Sequence, residues 1–234
     1  MFFEDEVLED IGGGLKIIHN KNSYRFSEDS VLLANFVDLN PGERLLDLGT
    51  GSGILPLLLI QRESNLNITG IEIQKELANM AQRSIKYNNL EKKITIVQGD
   101  LKEAGELFPE TKWDKIIANP PYFRVNEGRI SFRNNIAIAR HEIKCTLADI
   151  VKTASLLLKS KGSFYIVHRY QRLDELISLC RENSLINSGQ SLVVSRWQPE
   201  KASDDKSGDC SQLTDYRRPA TDDRSIVLLK FNSR

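Results

Sequence analysis

From residue 44 to residue 182 the chain alternates short apolar runs with amphipathic segments, and this alternation limits the folds available to it. The predicted strands are residues 44–48, 68–73, 94–97, 115–118 and 163–167. The predicted helices are residues 53–61, 74–88, 147–159 and 173–182. Strands that alternate with helices form a parallel sheet with helices on both of its faces. The chain is therefore predicted to be a doubly wound α/β protein.

The last part of the chain departs from this alternation. Residues 191–197 and 226–231 have the composition of strands, but no apolar helix lies between them. Two strands without a crossover helix are expected to pair in antiparallel fashion at an edge of the sheet. The prediction is thus a mainly parallel, seven-stranded sheet with an antiparallel edge strand. The link at 198–224 is polar and rich in Asp, Ser and Lys.

An N-terminal arm precedes this core, which we place at residues 41–234. Within residues 1–40 we expect a small hairpin, with one strand at 15–19 and the other at 24–26 around a polar turn. Ser27 offers an N-cap for a helix that runs to about Val37.

Composition and charge narrow the class of protein. The 234 residues contain 32 basic and 32 acidic side chains, and zero net charge argues against bulk electrostatic binding of nucleic acid. The three cysteines lie far apart, which is typical of reduced thiols in the cytoplasm. The longest apolar run, residues 54–60, is too short to cross a bilayer. The histidines lack acids and cysteines at ligand spacing, so we predict no metal site.

A glycine-rich loop joins the first core strand to its helix. It contains Asp47, Gly49, Gly51 and Gly53 in a G-x-G-x-G pattern. Glycines let the backbone turn sharply and approach a ligand, and the helix that follows presents free N–H groups. A nicotinamide dinucleotide site uses G-x-G-x-x-G and leaves a pyrophosphate at the helix end. An acid two residues before the first glycine disfavours that anion and instead suits a cationic ligand with an amino acid portion, such as S-adenosyl-L-methionine.

Two further acids follow the next strands of the core. Glu72 ends the second core strand, where a carboxylate can accept both hydrogen bonds of a ribose diol. Asp100 follows the third, where it can accept from an adenine amine. Backbone amides could equally satisfy Glu72, and Asp100 could equally be an N-cap. Both acids lie at the carboxyl ends of their strands, where open α/β sheets bind ligands.

The fourth core strand runs into Asn119-Pro120-Pro121-Tyr122. Prolines cannot continue the strand, so this loop is expected to project from the sheet edge. The Asn119 side-chain carbonyl and the Pro120 backbone carbonyl can accept the two N–H bonds of a planar amine, and Tyr122 can stack on its plane. The alternative is a proline-rich turn without a ligand.

A basic segment at residues 123–144 follows this loop. Its basic side chains are Arg124, Arg129, Arg133, Arg140 and Lys144, interleaved with Phe123 and Phe132. Beside an aromatic loop such a segment suggests a phosphate-contacting lid. A solvated loop explains the composition equally well.

In this order, the Asp47–Gly53 loop, Glu72, Asp100 and Asn-Pro-Pro-Tyr resemble the class I S-adenosylmethionine-dependent methyltransferases that act on amino or amide nitrogen. Residues 26–34, Phe-Ser-Glu-Asp-Ser-Val-Leu-Leu-Ala, look like the cofactor-side motif that precedes the core in this class. The compact layout and the Arg-His-Glu tripeptide at 140–142 resemble the tRNA1(Val) adenine-N6 methyltransferase family. The likeness extends from about residue 12 to residue 185.

This resemblance implies a Rossmann-like cytoplasmic enzyme that methylates N6 of an adenine in tRNA, at adenosine 37 of tRNA1(Val). The implied catalytic residues are Asn119, Pro120 and Tyr122. The implied cofactor-binding residues, for S-adenosyl-L-methionine, are Phe26, Asp29, Asp47, Gly49, Gly51, Gly53, Glu72, Asp100 and Asn119. The implied substrate-binding residues are Pro121, Phe123, Arg129, Arg133, Arg140 and His141.

Other acceptors remain open. Glutamine methyltransferases of release factors share the Asn-Pro-Pro-Tyr loop, because a primary amide poses the same geometric problem. They are expected to carry a long helical substrate-binding domain ahead of the core, whereas only about 40 residues precede Leu45 here. Adenine in ribosomal RNA or DNA, and a cofactor-binding module without activity, are further alternatives.

Overall fold

The computed structural model describes residue 3 and residues 5–21, 27–122, 144–194 and 225–233. The strands are β1 Glu6–Asp10, β2 Lys16–Asn20, β3 Arg44–Leu48, β4 Asn67–Glu72, β5 Ile94–Gln98, β6 Trp113–Ala118, β7 Leu158–Arg169, β8 Leu185–Val194 and β9 Ile226–Ser233. The helices are α1 Glu28–Phe36, α2 Ile54–Arg62, α3 Lys75–Tyr87, α4 Ala104–Leu107, α5 Leu147–Leu157 and α6 Leu173–Glu182. Short 3-10 turns occupy Leu101–Glu103 and Tyr170–Arg172.

Seven strands form one sheet in the order β5-β4-β3-β6-β7-β9-β8. The five strands from β5 to β7 in this order are parallel to one another. Strand β9 is antiparallel to both β7 and β8, so the antiparallel part of the sheet is at one edge. The predicted mainly parallel, seven-stranded sheet is confirmed. The last strand of the chain lies inside the edge, between β7 and β8.

Helices cover both faces of the sheet. Successive residues of each strand point to opposite faces, so neighbouring strand residues pack against different helices. On one face Leu45 and Ile117 pack with Leu33 of α1, Leu57 of α2 and Ala81 of α3. On the other face their strand neighbours Leu46 and Ile116 pack with Val151 of α5 and Leu176 of α6. The doubly wound arrangement predicted from the alternation is thus confirmed.

The parallel register brings the ends of four strands to one edge. Leu48 pairs with Ile71 on one side and with Ala118 on the other. Glu72 pairs with Gln98 at the end of β5. The loops after β3, β4, β5 and β6 therefore leave the sheet side by side, as predicted for the ligand-binding edge.

The N-terminal hairpin differs from its prediction. Strand β2 pairs with β1, from Glu6 opposite Asn20 to Asp10 opposite Lys16, around glycines 12–14. Strand β1 was not predicted, and residues 15–19 were predicted to pair with 24–26, which lie outside the described residues. Ser27 takes the N-cap position of α1, but its hydroxyl makes no capping hydrogen bond among the described residues.

Helix α3 anchors this hairpin to the core. The Ser84 hydroxyl accepts a hydrogen bond from Ile18 N at 2.9 Å and donates to Met80 O at 3.0 Å. The Asn88 side chain accepts from Lys16 N and donates to Lys16 O. Arg83 forms an ion pair with Glu6. The acidic strand β1 is thus held by charge, and β2 by hydrogen bonds and by the buried Ile17.

We expect Ser84→Ala to destabilise the protein by about 1–3 kcal/mol, because it leaves the buried Ile18 N–H without its acceptor. Urea unfolding would measure this loss, and limited proteolysis would show faster cleavage within residues 6–20. Ser178→Ala is the matched control, since its hydroxyl is exposed and bonds Glu182 on the surface of α6. The control should change stability by less than about 0.5 kcal/mol. Equal stability of the two variants would contradict this role of Ser84.

Candidate active site

The glycine loop after β3 presents open backbone at the carboxyl edge of the sheet. Gly49, Gly51 and Gly53 have φ values of 75°, 58° and 86°, in the left-handed region that favours glycine. A Cβ built on Gly49 or Gly51 would meet no heavy atom within 4 Å, whereas one on Gly53 would lie 3.2 Å from Ala81 Cβ. The first two glycines therefore leave room for a ligand, and the third lets α2 and α3 pack closely.

Asp47 is a buried carboxylate without a hydrogen-bond partner among the described residues. It lies in the interior of β3 with an exposed fraction of 0%, and neither carboxylate oxygen has a partner there. Burial raises the pKa of Asp47 to about 7; the nearby Thr50 hydroxyl opposes the shift, and the Glu72 carboxylate adds to it. An unpartnered buried acid is costly, and a cationic group beside it would relieve that cost.

Glu72 ends β4 and is tied to the same loop. Its Oε2 accepts a hydrogen bond from Gly51 N at 2.9 Å, and its Oε1 accepts from Gln74 N at 2.8 Å. Burial raises the pKa of Glu72, while these backbone amides and that of Ile73 oppose the shift. Each oxygen keeps a second acceptor position. Backbone amides thus satisfy Glu72 in part, and binding of a ribose diol remains a prediction.

Asp100 follows β5 and is the N-cap of the 3-10 turn that starts at Leu101. Its Oδ1 accepts from Lys102 N at 2.9 Å, and its Oδ2 lies 3.4 Å from Lys102 Nζ. The N-cap interpretation of Asp100 is confirmed. Contact of Asp100 with an adenine amine remains a prediction.

The Asn-Pro-Pro-Tyr loop follows the end of β6 and is joined by hydrogen bonds to α1. Asn119 Nδ2 donates to Ser30 Oγ at 2.9 Å. The Tyr122 hydroxyl lies 2.9 Å from Asn119 Oδ1 and 2.9 Å from Asp29 Oδ2. Pro120 is buried, and Asn119, Pro121 and Tyr122 are partly exposed. The structure therefore brings Asp29 to the loop side chains, beside the residues predicted for catalysis.

His168 also lies at this loop, although it was not predicted as a site residue. Its ring meets the Tyr122 ring edge-on, with 5.6 Å between centroids. His168 Nδ1 accepts from Arg169 N at 2.9 Å, and Nε2 has no partner among the described residues. Burial, and secondarily the Arg172 charge, lowers the pKa of His168 to about 3, so the ring is neutral and Nε2 carries its proton.

No signal in the sequence could have identified His168. Its position depends on the length of β7, which continues past Ile166, the residue that pairs with Ala118. The predicted strand ended at residue 167, one residue before it.

The structure brings together Asp47, Gly49, Gly51, Glu72, Asn119 and Tyr122 along one edge. The predicted residues Phe26, Phe123, Arg129, Arg133, Arg140 and His141 lie outside the described residues. Within the described residues there is no group of three or more His, Cys, Asp or Glu side chains that could hold a metal ion. No helix in that part of the chain is long and apolar enough to cross a membrane.

Comparison with known proteins now assigns the family. Residues 23–178 match the family described as methyltransferase small domain. The chain belongs to this family. The methyltransferase is 30% identical over 177 residues to the tRNA1(Val) (adenine(37)-N6)-methyltransferase of Parabacteroides distasonis, which covers 75% of the chain and 72% of the relative. It is 30% identical over 181 residues to the protein of that name from Bacteroides thetaiotaomicron, covering 76% and 73%. The resemblance found in the sequence is confirmed.

Solved structures share the fold of the methyltransferase. The Thermus thermophilus 16S rRNA N2 G1207 methyltransferase, in complex with AdoMet and guanosine, has a TM-score of 0.62 at 19% identity, covering 98% of this chain and 50% of that chain. The precorrin-6y C5,15-methyltransferase from Geobacter metallireducens has a TM-score of 0.57 at 12% identity, covering 92% and 91%. At these identities the likeness establishes the fold alone.

The unpartnered Asp47 predicts a pH-dependent gain of stability in Asp47→Asn. In the unfolded chain Asp47 ionises near pH 3.8, whereas the folded protein retains its proton up to about pH 7. Between these values the folded state binds more protons, so the Asp47 contribution falls as the pH rises. Asp47→Asn removes this charge and should be more stable above pH 7, by about 1–3 kcal/mol. Urea unfolding in the absence of ligand, below, within and above this window, measures the effect.

Glu72→Gln is the matched control for this experiment. It replaces one acceptor oxygen by an NH2 group and must lose a hydrogen bond from Gly51 N or Gln74 N, so it should destabilise the protein. The interpretation of Asp47 would be wrong if Asp47→Asn also lost stability at every pH.

Proposed function

We propose that this methyltransferase transfers a methyl group from S-adenosyl-L-methionine to the exocyclic N6 amine of adenine in tRNA, at adenosine 37 of tRNA1(Val). One observation carries the proposal. The open glycine loop and the buried carboxylate of Asp47, unpartnered among the described residues, lie on the same sheet edge as the Asn119 amide and the Tyr122 phenol. The first pair suits a cationic cofactor, and the second suits a planar amine. Relatives named for this activity, at about 30% identity, support the choice of substrate.

The residues at the edge fit the cofactor. Asp47 lacks a partner, and S-adenosyl-L-methionine carries an ammonium and a sulfonium that could supply the missing positive charge. The free space over Gly49 and Gly51 admits a ligand against the backbone. Glu72 and Asp100 would take the ribose and the adenine. When bound, S-adenosyl-L-methionine supplies an electrophilic methyl group.

The protein must position a weak nucleophile. The lone pair of an adenine N6 amine is delocalised into the ring. Asn119 Oδ1 and the Pro120 carbonyl, by accepting the two N–H bonds, would hold the nitrogen with its lone pair directed at the methyl group. This contribution is greatest in the transition state, so it raises turnover more than affinity.

The base must reach this loop from an RNA. Tyr122 would stack on it, which contributes about 1–3 kcal/mol. Leaving the stack costs least in a single-stranded loop, such as an anticodon loop. We propose that further contacts to the substrate come from Phe123, Arg129, Arg133, Arg140 and His141. The arginines would bind its phosphates. A tRNA substrate implies a cytoplasmic enzyme.

The substrate is tested by incubating the purified protein with labelled S-adenosyl-L-methionine and either unmodified tRNA or a release factor. We expect label in the tRNA as 6-methyladenosine, identified by nucleoside mass spectrometry. Asn119→Ala should lower kcat at least about tenfold, as expected for a lost transition-state hydrogen bond of about 1.4 kcal/mol or more. Its affinity for S-adenosylhomocysteine, measured by calorimetry, should fall much less than kcat.

The two arms separate the alternatives. Label in the release factor and none in RNA would favour a glutamine methyltransferase. If neither arm is labelled, further incubations with ribosomal RNA and with DNA test the remaining acceptors, and label there would retain the chemistry and change the substrate. Full activity of Asn119→Ala on tRNA would contradict the proposed mechanism.

RNA affinity tests the basic segment. Replacing Arg129, Arg133 and Arg140 together by Ala should raise the dissociation constant for tRNA and flatten its salt dependence, because fewer counterions are released. Replacement of the exposed Lys86, Lys92 and Lys152 by Ala changes the net charge equally and is the control. If both triple variants bind tRNA alike at all salt concentrations, the arginines do not contact phosphates.

A further inference from the structure

The Tyr122 hydroxyl lies between two acceptors. It is 2.9 Å from Asn119 Oδ1 and 2.9 Å from Asp29 Oδ2. A phenol has one proton to donate, so it cannot donate to both of these oxygens at the same time. The proton can move between them by rotation of the O–H bond, without displacement of any heavy atom.

Helix α1 fixes the direction of the Asn119 carboxamide. Ser30 accepts from Asn119 Nδ2, which turns Oδ1 toward the Tyr122 hydroxyl. Donation from Nδ2 also polarises the amide and strengthens Oδ1 as an acceptor. Asp29 and Ser30 are 1% and 4% exposed and lie in the first turn of α1, so both contacts come from a rigid, buried element.

Asn119 Oδ1 is the atom that the proposed function assigns to the substrate amine. An oxygen that already accepts a phenol proton is a weaker acceptor for a second donor. The phenol must therefore direct its proton elsewhere when the substrate arrives, and Asp29 Oδ2 is within hydrogen-bond distance.

We propose that Asp29 is a positioning residue for methyl transfer, which takes the hydrogen bond of the Tyr122 hydroxyl and so frees Asn119 Oδ1 for the N–H of the acceptor. This inference rests on the proposed function for the identity of the acceptor. It assigns Asp29 to the loop side of the site, and it gives the Tyr122 hydroxyl a role separate from the stacking of its ring.

The decisive comparison uses Asp29→Ala, Tyr122→Phe and the double variant, with kcat and KM measured on unmodified tRNA. Asp29→Ala removes one of the two acceptors of the Tyr122 hydroxyl, so the hydroxyl should donate to Asn119 more often and kcat should fall at least about tenfold, which corresponds to about 1.4 kcal/mol. Tyr122→Phe keeps the ring and removes the competing donor, so its loss should be smaller. The double variant should recover to the level of Tyr122→Phe, because no hydroxyl remains to occupy Asn119.

A structural or cofactor-binding role of Asp29 predicts a different pattern. The losses would then multiply in the double variant, or the affinity for S-adenosylhomocysteine would fall with Asp29→Ala. Either result would overturn the proposal. Asp29→Asn is close in shape and keeps an acceptor oxygen; it should retain more activity than Asp29→Ala, and it serves if the alanine variant does not fold.

A second measurement does not depend on the methyl acceptor. With ¹³C at the Cζ atoms of tyrosine, the Tyr122 resonance is assigned by its absence from Tyr122→Phe. It should shift in both Asp29→Asn and Asn119→Ala, since each change alters one acceptor of its hydroxyl. An unshifted resonance in Asp29→Asn would refute the inference. Failure of the wild-type protein to methylate RNA would refute the proposed function and leave this spectroscopic result to decide the role of Asp29.

Discussion

Parallel pairing of β3 with β4 on one side and β6 on the other is the constraint on which the site depends. Leu48 pairs with both Ile71 and Ala118. The glycine loop, Glu72 and Asn119 therefore lie next to one another at the carboxyl edge of the sheet. The loop is then bonded to its neighbour strand: Gly49 N and Thr50 N both donate to Ile71 O, and Gly51 N donates to Glu72. Even Gly70 contributes, since a Cβ there would lie 2.8 Å from the Thr50 side chain. A residue outside the glycine loop thus helps to determine the shape of that loop.

This arrangement conflicts with stability at one position. A carboxylate in the interior of β3, without a partner among the described residues, has its pKa raised to about 7 by burial. Hydrophobic side chains surround it in the strand, and an apolar or amide side chain would suit the same place better. A buried acid from which the fold gains no stability points to a ligand of opposite charge. The buried and neutral His168, whose Nε2 lacks a partner in the described part of the chain, is a second polar group at this edge that packing does not explain.

Much of the fold could be predicted from the sequence, because it follows from local periodicity. The alternation of strands and helices gave β3 and α6 with the bounds that the structure has, and it gave the antiparallel edge from the lack of a crossover helix. The pairing of β1 with β2 was not predicted, because it depends on contacts of Glu6, Ile18 and Lys16 with α3, more than 60 residues away. Asp47, Asn119 and the other motif residues could be named as site candidates from their chemistry. Their hydrogen-bond partners could not be predicted.

The contact between α1 and the Asn-Pro-Pro-Tyr loop illustrates this last limit. Asp29 and Ser30 are separated from Tyr122 and Asn119 by 93 and 89 positions. No spacing rule relates these residues. Only the folded arrangement of the chain brings the start of α1 next to the loop that follows β6. From the sequence, the first turn of α1 was interpreted as part of a cofactor-side motif. In the folded protein it meets the side chains that would hold the acceptor nitrogen. A helix that precedes the core in the chain is therefore in direct contact with the proposed chemistry, and the orientation of Asn119 depends on it as much as on the strand that carries the loop.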